Sequence, residues 1–135
     1  MRQFKGTVNQ VELIGWLGDA PESLQLAGSS TLARFSIATK RPGARQPDGQ
    51  YSVETDWLSV EAWDKLAGQA VGSLHKGSRV RVTGSIVINS WEDKATGQRR
   101  SRPVVRAESL MFLDARAEQT EAEAEAQAEE VELAF

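Results

Sequence analysis

The sequence contains no cysteine and only one histidine among its 135 residues. Without cysteine there can be no disulfide framework, no thiol nucleophile and no cysteine-ligated zinc site. Any Ser-His-Asp arrangement would have to use His75, whose position in the final turn of a predicted helix is explained by the helix dipole. We therefore expect a protein that is not an enzyme and that uses no metal and no cofactor.

Long apolar runs are also missing. No stretch of 18 apolar residues occurs, and residues 1–6 do not resemble a signal peptide. We therefore expect a cytoplasmic location and no membrane partner. The chain length and a hydrophobic content of 40% suit one compact domain with a tail.

The net charge of −3 conceals an uneven distribution. Residues 114–135 carry eight acidic side chains against Arg116 alone, a balance of −7. Residues 1–113 carry fifteen basic and eleven acidic side chains, a balance of +4. A basic body remains compatible with a polyanionic partner, which the total charge would argue against.

Most of residues 8–113 follow the two-residue alternation of strands that have one core face. Strands are predicted over 8–17, 24–26, 32–41, 55–63, 79–91 and 103–113. Segments 42–50 and 92–102 contain turn formers and are predicted to be protruding hairpin loops. In strand 79–91 the alternation turns Ile86 and Ile88 inward, whereas Arg79 and Arg81 are interpreted as a solvated face.

A helix is predicted between the third and fourth long strands, because apolar residues recur at helical spacing from Leu66 to Leu74. Asp64 is the expected N-cap, and residues 75–77 form the expected C-terminal end. Gly68 and Gly72 lie one turn apart on this helix. We expect them to permit close packing against one end of a barrel.

Three strands, one helix and two strands predict an all-β protein, a five-stranded OB-fold barrel with its helix between strands three and four. A small sandwich would also accommodate short strands, but the single helix at this point favours the barrel. Residues 1–113 are then one domain. Residues 114–135 are predicted to be a disordered acidic tail, since they contain too few large apolar side chains to offset the entropy of folding.

The strand over residues 55–63 places Trp57 and Trp63 on the face opposite its aliphatic residues, and Trp91 lies similarly on another strand. Unpaired bases stack on indole rings, with about 1–3 kcal/mol per base, while basic side chains contact the phosphates. Core or rim packing is the alternative for an isolated tryptophan. The candidate DNA-binding residues are Trp57, Trp63, Trp91, Arg34, Lys40, Arg41, Arg45, Lys94, Arg99, Arg100, Arg102 and Trp16. For Trp16, coverage by another subunit is an equal alternative.

Several segments resemble the bacterial single-stranded DNA-binding (SSB) protein family. They are residues 9–22, 35–39, 55–57, 63–67, 76–80 and 91–97. The resemblance implies an OB barrel, usually a homotetramer, with Trp57, Trp63 and Trp91 at the positions that stack on bases. It also implies a nucleoid-associated role in DNA replication, recombination and repair. Many members have another aromatic residue in the hairpin over 41–50, where this chain offers only Tyr51 at the far end.

The tail ends in a segment that is similar to the acidic tip of the same family, with alanine in place of the usual proline. This segment consists of Glu129, Glu130, Val131, Glu132, Leu133, Ala134 and Phe135. The resemblance implies docking into basic, apolar pockets of replication and repair proteins. The alternative is a solubility tail, although terminal apolar side chains would not improve solubility.

Two other functions suit the same fold, because a fold does not determine a function. One is an RNA-binding or translation-type OB protein. The other is a pure interaction protein, such as an accessory in replication restart, with a degenerate DNA surface. Sequence-independent binding of single-stranded DNA remains the leading prediction.

Overall fold

A computed structural model of the chain describes residues 4–114. Its elements are β1 (Val11–Leu17), β2 (Glu22–Gln25), a short 3-10 turn (Ala27–Ser29), β3 (Thr31–Arg45), β4 (Tyr51–Trp63), α1 (Asp64–Ser73), β5 (Arg79–Glu92) and β6 (Arg99–Phe112). The predicted tail beyond Asp114, including the tip over residues 129–135, lies outside the described residues. Within residues 4–114, no helix is long and apolar enough to cross a membrane.

The strands form a closed barrel. Their order is β1-β5-β6-β4-β3, and pairing of β1 with β3 closes the circle. The β4–β6 pair is parallel and the other pairs are antiparallel. Strand β2 pairs with the first four residues of β3. This arrangement confirms the predicted five-stranded OB barrel, with α1 between the third and fourth barrel strands.

Alternating side chains fill the barrel. Ile37, Val60, Val80 and Val82 are fully buried, as the two-residue pattern predicted. Helix α1 closes one end of the barrel with buried alanines at positions 67 and 70. Burial of each large aliphatic side chain contributes about 1.5–3 kcal/mol, so the core is the main source of stability.

The two hairpins are more regular than predicted. Strands β3 and β4 extend into the predicted loop, so that only residues 46–50 form the turn, and residues 93–98 form the turn between β5 and β6. Antiparallel pairing continues past Pro42 and Gly43 with a register shift between Pro42 and Arg45, whereas Asp48 and Gly49 lie in the turn. The first strand begins at Val11, and the short second strand covers residues 22–25 instead of 24–26.

The prediction that the side chains of Ile86 and Ile88 lie in the core is wrong. Both side chains are exposed, Ile88 to 63%. Their strand pairs with β1 no further than Gly84 and continues with β6 as a hairpin beyond the barrel wall. The alternation therefore persists along the strand, but the core does not extend beneath these residues.

The predicted helix caps are also corrected. Asp64 is the first helical residue, with a φ of 50°, and its carboxylate accepts a hydrogen bond from the Thr31 N–H at 3.1 Å. The helix ends at Ser73, so His75 lies beyond it and close to Asp114, at 3.8 Å.

The two helical glycines do not pack against the barrel. A Cβ added to Gly68 or Gly72 would have no neighbouring atom within 4 Å. Close packing between backbones occurs instead at Gly15 and Gly84, where an added Cβ would collide with the carbonyl oxygens of Ala38 and Arg106, respectively.

Candidate nucleic-acid interface

The outer faces of β3 and β4 form the centre of the candidate interface. Their register pairs Arg34 with Glu61 and Ala38 with Trp57, and alternation turns these side chains away from the barrel interior. Trp57 is 58% exposed. Its ring packs against the backbone of Gly18, since a Cβ added there would lie 2.6 Å from Cζ3 of the indole. The ring is thus supported by the β1–β2 loop and remains accessible.

Two grooves run beside this surface and share two arginines. The first groove, of about 530 Å³, is lined by Trp57, the loop residues 18–20 and both Arg34 and Arg102. The second, of about 590 Å³, is lined by Trp91 and the same two arginines. Arg34 and Arg102 therefore join the two tryptophans into one continuous surface and place two positive charges between them, while Asp19, Glu22 and Glu61 also line the first groove.

Trp91 lies on the β5–β6 hairpin and is partly exposed. The guanidinium carbon of Arg102 is 5.9 Å from the centroid of its ring, within the range of a cation–π interaction. Arg102 lies opposite Asn89 in the β5–β6 pairing, and this register brings its side chain close to that of Trp91. The hairpin thus presents an aromatic ring and a cation side by side.

Trp63 is half-buried and held in place by two neighbours. Its indole N–H is directed at Oε1 of Glu61 at 3.5 Å. The guanidinium carbon of Arg106 lies 5.9 Å from the ring centroid. Trp63 is therefore less exposed than Trp57, and two polar side chains contact its ring.

Trp16 lies on the same outer surface as Trp57. It pairs with Ala38, whose other neighbour in the barrel is Trp57, so the three residues form a row across β1, β3 and β4. Two strand spacings separate the tryptophan backbones by about 10 Å. Arg79, interpreted from the sequence as a solvated residue, has its guanidinium carbon 5.5 Å from the Trp16 ring centroid.

Two of the predicted basic residues are already paired with carboxylates. Arg41 donates to Asp56 at 2.7 Å, and this hydrogen bond, with the attraction between the charges, raises the pKa of Arg41. Arg100 donates to Asp93 at 2.8 Å. The pKa of Asp93 is lowered first by the backbone N–H of Ala95 and then by Arg100. Both cations are thus partly neutralised.

The remaining predicted cations extend along the hairpins. Lys40, Arg45, Lys94 and Arg99 are exposed. Lys40 borders a third, mainly apolar groove of about 440 Å³, which Tyr51 also lines. None of the four is among the residues that line the two grooves beside Trp57 and Trp91.

Sequence reasoning missed Arg106 and Glu61. Arg106 is exposed on β6 and reaches Trp63, whereas Glu61 is buried beneath both side chains. Alternation placed Glu61 on the outer face, but its burial depends on partners up to 45 residues away. Within residues 4–114 there is no group of three or more His, Asp or Glu side chains that could hold a metal ion.

A closed OB barrel with indole rings and guanidinium groups on its outer strands has the architecture of an oligonucleotide-binding protein. The chain belongs to the single-strand binding protein family, whose model matches residues 8–113. Membership of this family makes it a binding protein and not an enzyme.

Several bacterial proteins are similar to the chain over most of its length. The single-stranded DNA-binding protein 1 of Synechocystis sp. is 30% identical over 124 residues, which cover 92% of this chain and 98% of the relative. The single-stranded DNA-binding protein of Anabaena variabilis is 32% identical and covers 84% of the chain and 89% of its own length. That of Wolinella succinogenes is 38% identical over 80% of the chain and 65% of its own length.

Proposed function

We propose that this chain binds single-stranded DNA without sequence preference and thereby protects exposed strands. The continuous surface from Trp57 to Trp91, joined by Arg34 and Arg102, is the observation that carries the proposal. The names of the similar bacterial proteins support DNA as the nucleic acid. We also propose that the protein is cytoplasmic and associated with the nucleoid.

Binding combines stacking with phosphate contacts. Bases stack on Trp57, Trp91, Trp63 and Trp16, and every base has a π-face, so stacking does not distinguish sequences. Arg34 and Arg102 contact phosphates at the centre of the surface. The outer cations follow the strand along the hairpins; they are Lys40, Arg45, Lys94, Arg99 and, less strongly because of their carboxylate partners, Arg41 and Arg100.

Tryptophan fluorescence during titration with oligo-dT and with oligo-U of equal length tests the proposal. We expect strong quenching by oligo-dT, because a base that stacks on an exposed indole changes its emission. The logarithm of the binding constant should fall linearly with the logarithm of salt concentration, by about 0.7 per neutralised phosphate. Equal affinity for oligo-U would favour an RNA-binding protein. No quenching at low salt would contradict any nucleic-acid function of this surface.

We further propose that residues 1–113 are the binding domain and that residues 114–135 recruit replication, recombination and repair proteins through the tip. The tip, residues 129–135, combines three carboxylates with apolar side chains, a chemistry that fits basic pockets with apolar floors. Recruitment would concentrate these proteins on strands that the barrel has coated.

Deletion of residues 131–135 should abolish the capture of replication and repair proteins in a pull-down from the host while leaving DNA affinity undiminished. A slight rise in affinity at low salt is expected, since acidic side chains compete with phosphate. The matched control deletes residues 122–126, which removes acidic residues but keeps the tip. Capture that survives deletion of 131–135 would exclude the tip as the docking segment.

We also propose assembly as a homotetramer. Exposed apolar side chains support this proposal: Val8, Ile86 and Ile88 are all exposed, and Asn9, which follows Val8, makes two hydrogen bonds with the backbone of Ile86. Exposed apolar clusters mark contact surfaces between proteins. Mass measurement in solution tests the assembly, and a monomeric mass would contradict it.

A further inference from the structure

A buried carboxylate lies in the middle of the proposed DNA-binding surface. Glu61 is only 3% exposed, although it stands on the outer face of β4. A buried acidic side chain is rare unless it is paired and hydrogen-bonded. A negative charge is also unfavourable beside a bound polyanion, so its presence here requires an explanation.

Three side chains surround this carboxylate. Arg106 directs Nε and Nη2 at Oε1 of Glu61, both at 3.2 Å. The Trp63 indole N–H is 3.5 Å from the same oxygen, and the Asn89 amide donates to Oε2 at 3.3 Å. Glu61 thus links β4, β5 and β6 and accepts hydrogen bonds from every one of these partners.

The partner cation remains accessible on the surface. Arg106 pairs with Glu61 across the parallel β4–β6 contact, and its side chain is 48% exposed. Its guanidinium carbon is 5.9 Å from the Trp63 ring centroid. An unpaired arginine at this place would add a phosphate contact. Paired with Glu61, Arg106 contributes no net charge.

We propose that Glu61 is a positioning residue that holds Arg106 against Trp63 and withholds one positive charge from bound DNA. The inference rests on the proposed function. Binding then depends more on stacking and less on counterion release than the number of arginines on this surface suggests. Affinity is consequently less sensitive to salt, and the Trp63 ring keeps one orientation.

The salt dependence of oligo-dT binding by E61Q tests the proposal. The amide is the same shape as the carboxylate but leaves Arg106 with its charge, so one more phosphate is neutralised. We expect the slope of log K against log salt to become steeper by about 0.7. E61Q should then lose about 2.6-fold more affinity than the unchanged protein between 50 and 200 mM salt. The double variant E61Q/R106Q should return to the original slope.

Two control variants separate this effect from others. E108Q removes an exposed carboxylate two residues from Arg106 and measures the general effect of one lost negative charge. R102Q should reduce the slope by about 0.7 and calibrates a single phosphate contact. An E61Q slope no steeper than that of E108Q, or a double variant as steep as E61Q, would overturn the proposal.

Folding of each variant is checked by thermal unfolding followed by circular dichroism. If E61Q does not fold, the salt dependence of the double variant E61Q/R106Q is sufficient to test whether Glu61 neutralises Arg106. A slope equal to that of the unchanged protein supports neutralisation of Arg106, whereas a slope lower by about 0.7 shows that Arg106 contacts phosphate despite Glu61. Failure of the proposed function is distinct, because the unchanged protein would then show no binding at low salt.

Discussion

Replacement of Trp57 with alanine is expected to weaken oligo-dT binding about 5- to 150-fold, which corresponds to the loss of about 1–3 kcal/mol of stacking free energy. Trp57 has the largest exposed fraction among the four tryptophans, and its ring rests on Gly18 beside Arg34 and Arg102. Anisotropy of a labelled oligonucleotide is the suitable measurement, because the substitution removes part of the intrinsic fluorescence.

Two further variants define what the loss at Trp57 means. Trp57→Phe keeps a π-face and should lose less affinity than the alanine variant. Val71→Ala truncates an exposed apolar side chain on α1 and should leave DNA affinity unchanged. Affinity for oligo-dT that is the same in the Trp57→Ala and unchanged proteins would remove Trp57 from the interface.

Local patterns predicted the barrel and its aromatic face. The two-residue alternation assigned Val80 and Val82 to the core and turned Trp57 outward, and both assignments follow from the geometry of a strand alone. The change to helical spacing after Trp63 located α1. Such assignments need no knowledge of which strands are neighbours.

What the sequence did not predict depends on those neighbours. Arg79 has no aromatic residue near it in sequence, yet the β1–β5 register sets it beside Trp16. The pairing of Arg41 with Asp56 likewise follows from the β3–β4 register. Ile88 is exposed because its strand extends beyond the barrel. The periodicity of a sequence does not indicate where the core ends. The sequence therefore predicted which types of residue form the candidate site, but it did not predict which charged side chains pair with each other.

Substitutions at two glycines can measure the difference between a contact with a neighbouring strand and a local helix propensity. Gly84→Ala is expected to destabilise the fold by about 1–3 kcal/mol or more, because the new Cβ would collide with the backbone of Arg106 on β6. Rigid backbone on the neighbouring strand cannot move aside as a flexible side chain can. The β5–β6 register shift beside Gly84 would have to rearrange, and the barrel wall with it.

Gly68→Ala is the matched substitution, and it is expected to stabilise the fold. Its added methyl group meets no atom within 4 Å, and alanine is the better helix former by about 0.5–1 kcal/mol. Thermal unfolding should thus shift to lower temperature for Gly84→Ala, by roughly 4 °C per kcal/mol, and to higher temperature for Gly68→Ala. Destabilisation by Gly68→Ala would indicate that another copy of the chain covers this helix face. Unchanged stability of Gly84→Ala would contradict the tight β5–β6 contact on which the position of Arg106 depends.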